Sequence, residues 1–465
     1  MLFSSYAFLF WFLPLTLLFY FLPMAFGGRR ALPWQNAVLL LASLFFYAWG
    51  EPIYVLLMMG VIVADTLFGL VIARSKHKKV LLWAAVSLHI LLLFYYKYAA
   101  NFASVFGFFI QQPHLPLGIS FYTFQAISYL ADVYRGHVQA ERNPALLGVY
   151  IALFPQLIAG PIVPYTDVDH ALRHRRHSLE GAAAGTGRFA AGLAKKLLLA
   201  DAMGALFSTL AHGSQPTALG SWTALIAFAL QIYFDFSGYS DMAIGLGRIF
   251  GFRFPENFHY PYMAKSMTDF WRRWHMTLSG FFKSYVYIPL GGNRRGVWRT
   301  VFNLFVVWSL TGIWHGATWN FLLWGVYYFA LLTLEKLVLS RFSVHVPAFF
   351  KHTAALLGIL MGWLIFALDS STPALSLSAL PQWLLQLLGA NGFASKHELY
   401  EIGRHLPLLL AAAVGATPWP RRLYHRITHA GRGQWMRAAL PLAALLLCIV
   451  DLSDAGFHPF LYFRF

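Results

Sequence analysis

Two histidines stand where an ionisable side chain is costly. His315 lies in Thr311-Gly312-Ile313-Trp314-His315-Gly316-Ala317, inside Val301–Leu334, a stretch with no Asp, Glu, Lys or Arg. An ionisable group in such a run is a functional candidate, and imidazole can take and return a proton near neutral pH. The flanking glycines permit close approach of a ligand. The competing reading is a buried, neutral, hydrogen-bonded histidine. His275 sits in Trp271-Arg272-Arg273-Trp274-His275-Met276. It could orient a substrate or tune His315, or simply pack on an amphipathic helix. Asp235 and Asp241 lie six residues apart beside an apolar run, and buried carboxylates need partners. Arg272 and Arg273 are the candidate cations, and ion pairing rather than catalysis is the expected role. Asp65, Asp132 and Asp201 read the same way.

Other patterns carry less chemistry. His170, His174 and His177 have ligand-like spacing, but Arg173, Arg175 and Arg176 interleave them and would repel a cation, so no metal site is expected. Ile288-Pro289-Leu290-Gly291-Gly292-Asn293-Arg294-Arg295 reads as a turn with exposed cations, able to meet phosphates or a membrane surface. Cys448 is the one cysteine, which excludes an intrachain disulfide and argues against a thiol nucleophile. Phosphate-loop, dinucleotide, zinc-finger and serine-elbow motifs are absent.

The elements that position these residues are membrane helices. Of 465 residues, 58% are hydrophobic and 11% charged, against about 25% charged in a soluble domain. Disorder, coiled coil and a soluble enzyme are thereby set aside. The net charge of +17 falls in short clusters between apolar runs, a positive-inside pattern rather than a nucleic-acid surface. Spans are expected at 6–26, 35–50, 53–73 and 80–96, and within 98–133, 188–212, 219–236, 301–339, 352–368, 405–417 and 436–451. That makes roughly 10–12 membrane elements, several of them short or broken. Segment 6–26 reads as a retained span rather than a signal peptide. The run 301–334 is too long for one crossing and should break at Gly312 or Gly316. Segment 143–166 carries Pro144, Pro155, Pro161 and Pro164 and should be re-entrant. The stripe Trp271, Trp274, His275, Leu278, Phe282 predicts one amphipathic helix. Arg74–Lys79, Arg135–Arg142 and Arg173–Arg176 should face the cytosol, which places the N-terminus outside.

Several stretches carry a family resemblance: YFDFSGYSDMAIGLGRIFGFRFPENF (233–258), FWRRWHMTLSGFFKSYVYIPLGGNRRG (270–296) and GIWHGATWNFLLWG (312–325). So do MLFSSYAFLF at the start, FYAWGEP (46–52), LPLGISFYTFQAISYLADVYRG (115–136), FPQLIAGPIV (154–163) and PFLYFRF (459–465). Together they resemble the membrane-bound O-acyltransferase (MBOAT) family, in its bacterial alginate-type branch. The resemblance implies an all-α polytopic membrane protein, a ring of transmembrane and re-entrant helices around a central funnel. Residues 1–465 would form one domain: 1–230 with the first spans, 231–330 as the motif-bearing core, and 331–465 with the last spans.

The same resemblance implies a mechanism. His315 matches the family's catalytic histidine and His275 the second histidine of the bacterial branch. Acetyl-CoA is the implied donor, used as a substrate with no resident cofactor. Trp271, Arg273, Trp274, Trp314 and Asn320 stand near the motifs as substrate-binding candidates. Acetyl would pass outward across the bacterial inner membrane to an exopolysaccharide, alginate first. Cellulose, peptidoglycan or another envelope polymer would need the same chemistry. The 465 residues include no soluble transferase sequence, so periplasmic serine-hydrolase-like proteins and the polysaccharide synthesis machinery are expected partners, alongside membrane lipid and without nucleic acid. In a polysaccharide exporter intramembrane Asp and His could form a proton path, but the sequence shows no two related halves and the His315 motif suits chemistry better than conduction. A synthase scaffold would leave His315 without a role.

Overall fold

In a computed structural model the described residues are 1–25, 31–158, 160–213, 215–338, 346–368, 372–429, 433 and 435–454. The resembling segment Pro459–Phe465 lies outside them. The described residues form helices and turns with no strand. Among the described residues seven helices are long and apolar enough to cross a membrane. Their outer faces leave residues such as Trp11, Leu18, Leu41, Leu56 and Val450 exposed, an apolar surface far too continuous for water. The chain is a polytopic membrane protein.

The chain divides into two compact units. The first holds residues 1–193 and 239–256. It begins with a π-helical turn (Ala7–Phe12) running into α1 (Leu13–Ala25), then α2 (Ala31–Gly50), α3 (Tyr54–Arg74) and α4 (Lys78–Lys97). The expected element within 98–133 divides into α5 (Ala99–Val105) and α6 (Ile119–Arg135). The proline-rich segment forms α7 (Pro144–Ala152) and α8 (Phe154–Leu157), followed by α9 (Tyr165–Arg173). Pro144 and Pro155 occupy helix starts, where the missing N–H costs nothing. At 1.5 Å per residue α7 is about 13 Å long, well short of the roughly 30 Å hydrocarbon core. Residues 147–158 are nonetheless buried, so the segment is broken backbone covered by protein. α10 (Leu179–Ala194) completes most of this unit.

The second unit holds residues 194–238 and 257–451 among its described part. A π-helical turn (Lys195–Ala200) leads into α11 (Asp201–Ala211). α12 (Ala218–Ile249) runs 32 residues where 219–236 was expected, and it belongs to the second unit up to Gly238 and to the first beyond it. Then come α13 (Met267–Trp271), α14 (Met276–Phe282), a π-helical turn (Lys283–Tyr287), α15 (Val297–His315), α16 (Trp319–Leu337) and α17 (Ala348–Ala367). α18 (Leu380–Leu387), α19 (Lys396–Gly415), α20 (Trp419–His429) and α21 (Met436–Asp454) follow. Its core gathers Trp271, Trp274, Trp308, Trp324, Tyr328, Trp363 and Phe366, all buried.

The charge-free run breaks at Gly316-Ala317-Thr318, between α15 and α16. Gly312 is not a break point. It lies within α15 at the crossing with α16, where an added Cβ would meet the Phe321 carbonyl oxygen at 2.4 Å; at Gly325 it would meet the Trp308 oxygen at 2.3 Å. Both glycines exist to let two backbones touch.

Candidate active site

His275 is delivered by a turn, not by the continuous amphipathic helix that its apolar stripe predicts. Ser266 caps α13 by accepting from the Asp269 N–H at 3.1 Å. Glu335 of α16 accepts from the Met267 and Thr268 N–H groups at 2.8 and 3.3 Å. α13 ends at Trp271, and His275 adopts φ 43°, ψ 53° before α14 begins. Two short helices with a left-handed residue between them keep Trp271, Trp274 and Leu278 buried, so the periodicity survives although the helix does not.

The His275 tautomer follows from its partner. The Thr277 backbone N–H donates to Asn257 Oδ1 at 3.3 Å and the Thr277 hydroxyl does so at 2.9 Å. A backbone N–H can only donate, so that Asn257 atom is the oxygen. His275 Nδ1 lies 3.1 Å from the same oxygen and must carry the proton. Nε2 is then a bare acceptor, buried with no protein partner. The residue is 1% exposed, and burial pushes its imidazole down to about 3. His275 is therefore a neutral acceptor, its ring edge-on to Phe236 at 4.6 Å.

His315 is the last residue of α15, and the backbone turns out to an extended Gly316. The Gly316 site is tight: a Cβ there would meet the Phe321 ring at 2.2 Å. His315 thus stands at a helix C-terminus, where the dipole favours positive charge. The His315 ring is 5.0 Å from Trp324 and 5.3 Å from Phe366, both edge-on. Trp314 joins the two histidines, its ring 4.9 Å from His315 and 6.2 Å from His275. Asn320 is buried just past the break, where its amide accepts from the Thr318 hydroxyl at 2.5 Å and donates to the Phe366 carbonyl at 3.4 Å.

The remaining site residues separate. Trp271 stacks edge-on against Trp308 at 4.5 Å and Tyr328 at 4.8 Å, and Trp274 lies 4.7 Å from Trp363. They form the aromatic wall around the histidines. Arg273 pairs with Asp269 at 2.7 Å, one helical turn back, and Arg272 is exposed. Asp235 and Asp241 are met by other cations. Lys196 reaches Asp235 at 2.8 Å and Asp201 at 2.6 Å. In the first unit Arg188 holds Asp241 at 2.8 Å and also pairs with Glu256. The correction has a physical reason: a carboxylate halfway along a helix is met by a cation from a helix beside it, and that neighbour is remote in sequence.

Sequence reasoning passed over Asn257, Trp324, Phe366 and Lys196. Asn257 carried a usable signal, since an amide within an aromatic stretch must spend its polar atoms on something nearby. Among the described residues no three His, Cys, Asp or Glu side chains gather as metal ligands. His170 and His174 stack at 5.2 Å, while His177 turns away toward Tyr20.

The arrangement can move a proton between a hydroxyl and an imidazole within an apolar shell, where electrostatic interactions are strong. The model of the MBOAT, membrane-bound O-acyltransferase, family matches residues 143–378. A probable alginate O-acetylase of Pseudomonas aeruginosa is 40% identical over 80% of this chain and 72% of its own length. Another, of Azotobacter vinelandii, is 36% identical over the whole of both chains. A peptidoglycan O-acetyltransferase of Helicobacter pylori is 33% identical over 85% of this chain and 81% of its own.

Proposed function

The chain belongs to the membrane-bound O-acyltransferase family, and from that premise we propose that it carries acetyl from cytosolic acetyl-CoA to an outward-facing hydroxyl for O-acetylation of an exopolysaccharide, alginate first. The observation that carries this reading is the pair of buried histidines sharing Trp314. Both the acyltransferase activity of the family and the names of the alginate O-acetylases support it. The Helicobacter relative favours a second acceptor, peptidoglycan, for the same chemistry.

In this reaction His315 is the general base. It removes the proton of the acceptor hydroxyl as that oxygen attacks the thioester carbonyl. A C–O bond forms, the C–S bond breaks, and the imidazolium returns its proton to the departing thiolate. His275 accepts a hydrogen bond from the incoming hydroxyl through its bare Nε2 and so orients it. General-base help is worth about 10²–10⁴-fold, and orientation and a dry site supply the rest. The basic clusters face the cytosol of an inner membrane and the N-terminus lies in the periplasm. Periplasmic serine-hydrolase-like proteins receive the acetyl group and hand it to the polymer.

The test is transfer of label from acetyl-CoA, using membranes that hold wild type or His315→Ala, with and without the periplasmic fraction. Label reaching a protein or glycan only with wild type supports the reading, and its destination names the acceptor. Equal label with both forms removes His315 from the role of base. An unlabelled result with acetyl-CoA that turns positive with another acyl donor overturns the donor assignment.

A further inference from the structure

A second polar cluster lies in the first unit. Arg175, in the connection after α9, projects its guanidinium over the Phe252 ring at 4.6 Å and the Tyr20 ring at 5.7 Å. One of its nitrogens, Nη2, donates to Asn36 Oδ1, and Asn36 in turn donates to the Leu172 carbonyl at 2.9 Å. Its Nε and Nη1 are buried and have no partner. Among the described residues no carboxylate pairs with it. Gln35, next in the chain to Asn36, is 2% exposed and its Nε2 is also without a partner among the described residues. His177 Nε2 lies 3.4 Å from both Gln35 Oε1 and the Tyr20 hydroxyl. The Tyr20 proton goes to the Phe250 carbonyl at 2.7 Å, so both neighbours of Nε2 accept and Nε2 carries the hydrogen. Its Nδ1 is buried and unpaired.

The cluster is thus one full positive charge with three donor nitrogens, carrying five hydrogens, that no described protein group meets. Cation–π contacts offset only part of the cost of burying a guanidinium, and buried donors in folded proteins are nearly always satisfied. The backbone is shaped to hold it. Gly251 stands at φ +84°, and a Cβ there would press on His177 Cε1 at 3.0 Å and Arg175 Cγ at 3.1 Å. Guanidinium is the side chain best matched to a phosphate, which it meets with two parallel N–H groups.

We infer that this cluster binds a phosphate, supplied by the phosphodiester of an anionic phospholipid headgroup. Depth argues for the lipid. Tyr20 lies five residues before the end of α1 and Gln35 four residues after the start of α2, about 6–8 Å from those helix ends. The headgroup layer on each side of the hydrocarbon core is about 5–8 Å thick. A phosphodiester carries a single negative charge, the complement of one guanidinium, and it sits at that depth already.

The experiment uses the purified full chain in detergent, titrated with dioctanoyl phosphatidylglycerol, dioctanoyl phosphatidylcholine or inorganic phosphate and read by native mass spectrometry. Wild type should retain phosphatidylglycerol at least tenfold more tightly than phosphatidylcholine. Arg175→Met should lose that preference. Should that variant fail to fold, Gln35→Glu decides the matter: it keeps the side-chain shape but supplies the cluster with a resident carboxylate beside His177. It should fold at least as well as wild type and retain the lipid at least tenfold less tightly. Equal retention of phosphatidylglycerol by wild type and Gln35→Glu would overturn the site. Inorganic phosphate displacing the lipid at equal concentration would overturn the headgroup as its occupant.

Discussion

His275 combines two costs that a packing residue would not bear. A non-glycine residue at φ 43° gives up roughly 1–2 kcal/mol of backbone energy, and its Nε2 is buried without a partner. Asparagine tolerates this backbone conformation and β-branched residues do not. His275→Asn should therefore fold close to wild type while His275→Val is lost during membrane extraction, with acetyl transfer impaired in both. Size-exclusion yield and transfer rate measured on the same preparations check this. Proton linkage gives a second expectation. The folded imidazole titrates near 3, below the roughly 6.5 of an unfolded histidine. The unfolded chain thus takes up this proton first, and stability falls as pH drops below about 6.5. Wild type should lose more of its unfolding midpoint between pH 7.5 and pH 5 than His275→Asn does. An equal loss in both would assign the acid sensitivity elsewhere. Both histidines were legible in the sequence because imidazole in an apolar setting demands a reason. The Asn257 hydrogen bond that fixes the tautomer was not, because it depends on a turn that residue spacing does not reveal.

At the scale of elements, helix pairs decide where the side chains stand. The α15–α16 crossing rests on Gly312 and Gly325, each against the other helix's backbone. A backbone oxygen at 2.4 Å from a new methyl cannot swing aside as a side-chain tip could. Gly312→Ala should force the helices apart, lower stability by about 1–3 kcal/mol and displace His315, reducing transfer more than binding of a nonreactive CoA thioether. Gly403→Ala, where a Cβ meets nothing within 4 Å, is the control. A similar argument applies to Lys196, 2% exposed between Asp201 and Asp235. Lys196→Met would strand two carboxylates, and breaking a buried pair costs about 3–5 kcal/mol. A fall in the thermal midpoint of the purified protein, relieved by Asp235→Asn in the same chain, would confirm the pairing. The break near Gly316 could be read from length alone, since 301–334 exceeds one bilayer crossing. The full extent of α12 could not. Asp235 and Asp241 looked like the polar end of a span, whereas neighbouring cations neutralise them inside the helix.

For the whole molecule, the distribution of arginine and lysine becomes a statement about sidedness. α1 to α4 are four of the helices suited to crossing, and successive crossings alternate direction. The end of α1, the start of α2 and the α3–α4 connection would therefore lie on one side and the α2–α3 connection on the other. Within the first unit the Tyr20–His177 and Asn36–Leu172 hydrogen bonds bring the Arg173–Arg176 segment to the α1–α2 side. The α3–α4 connection carries Arg74, Lys76, Lys78 and Lys79. Two basic clusters thus share a side, and the positive-inside rule makes the cytosol the expected one. The chain is suited to a direct test, because Cys448 is its one cysteine and is buried. In a Cys448→Ala background, a cysteine replacing His77 should react with an impermeant maleimide only after the inner membrane is opened. One replacing Ile53, at the α2–α3 connection and exposed, should react in intact spheroplasts. The reverse pattern would invert the molecule, put the acetyl-CoA side of the proposed reaction in the wrong compartment, and require a donor drawn from the periplasm.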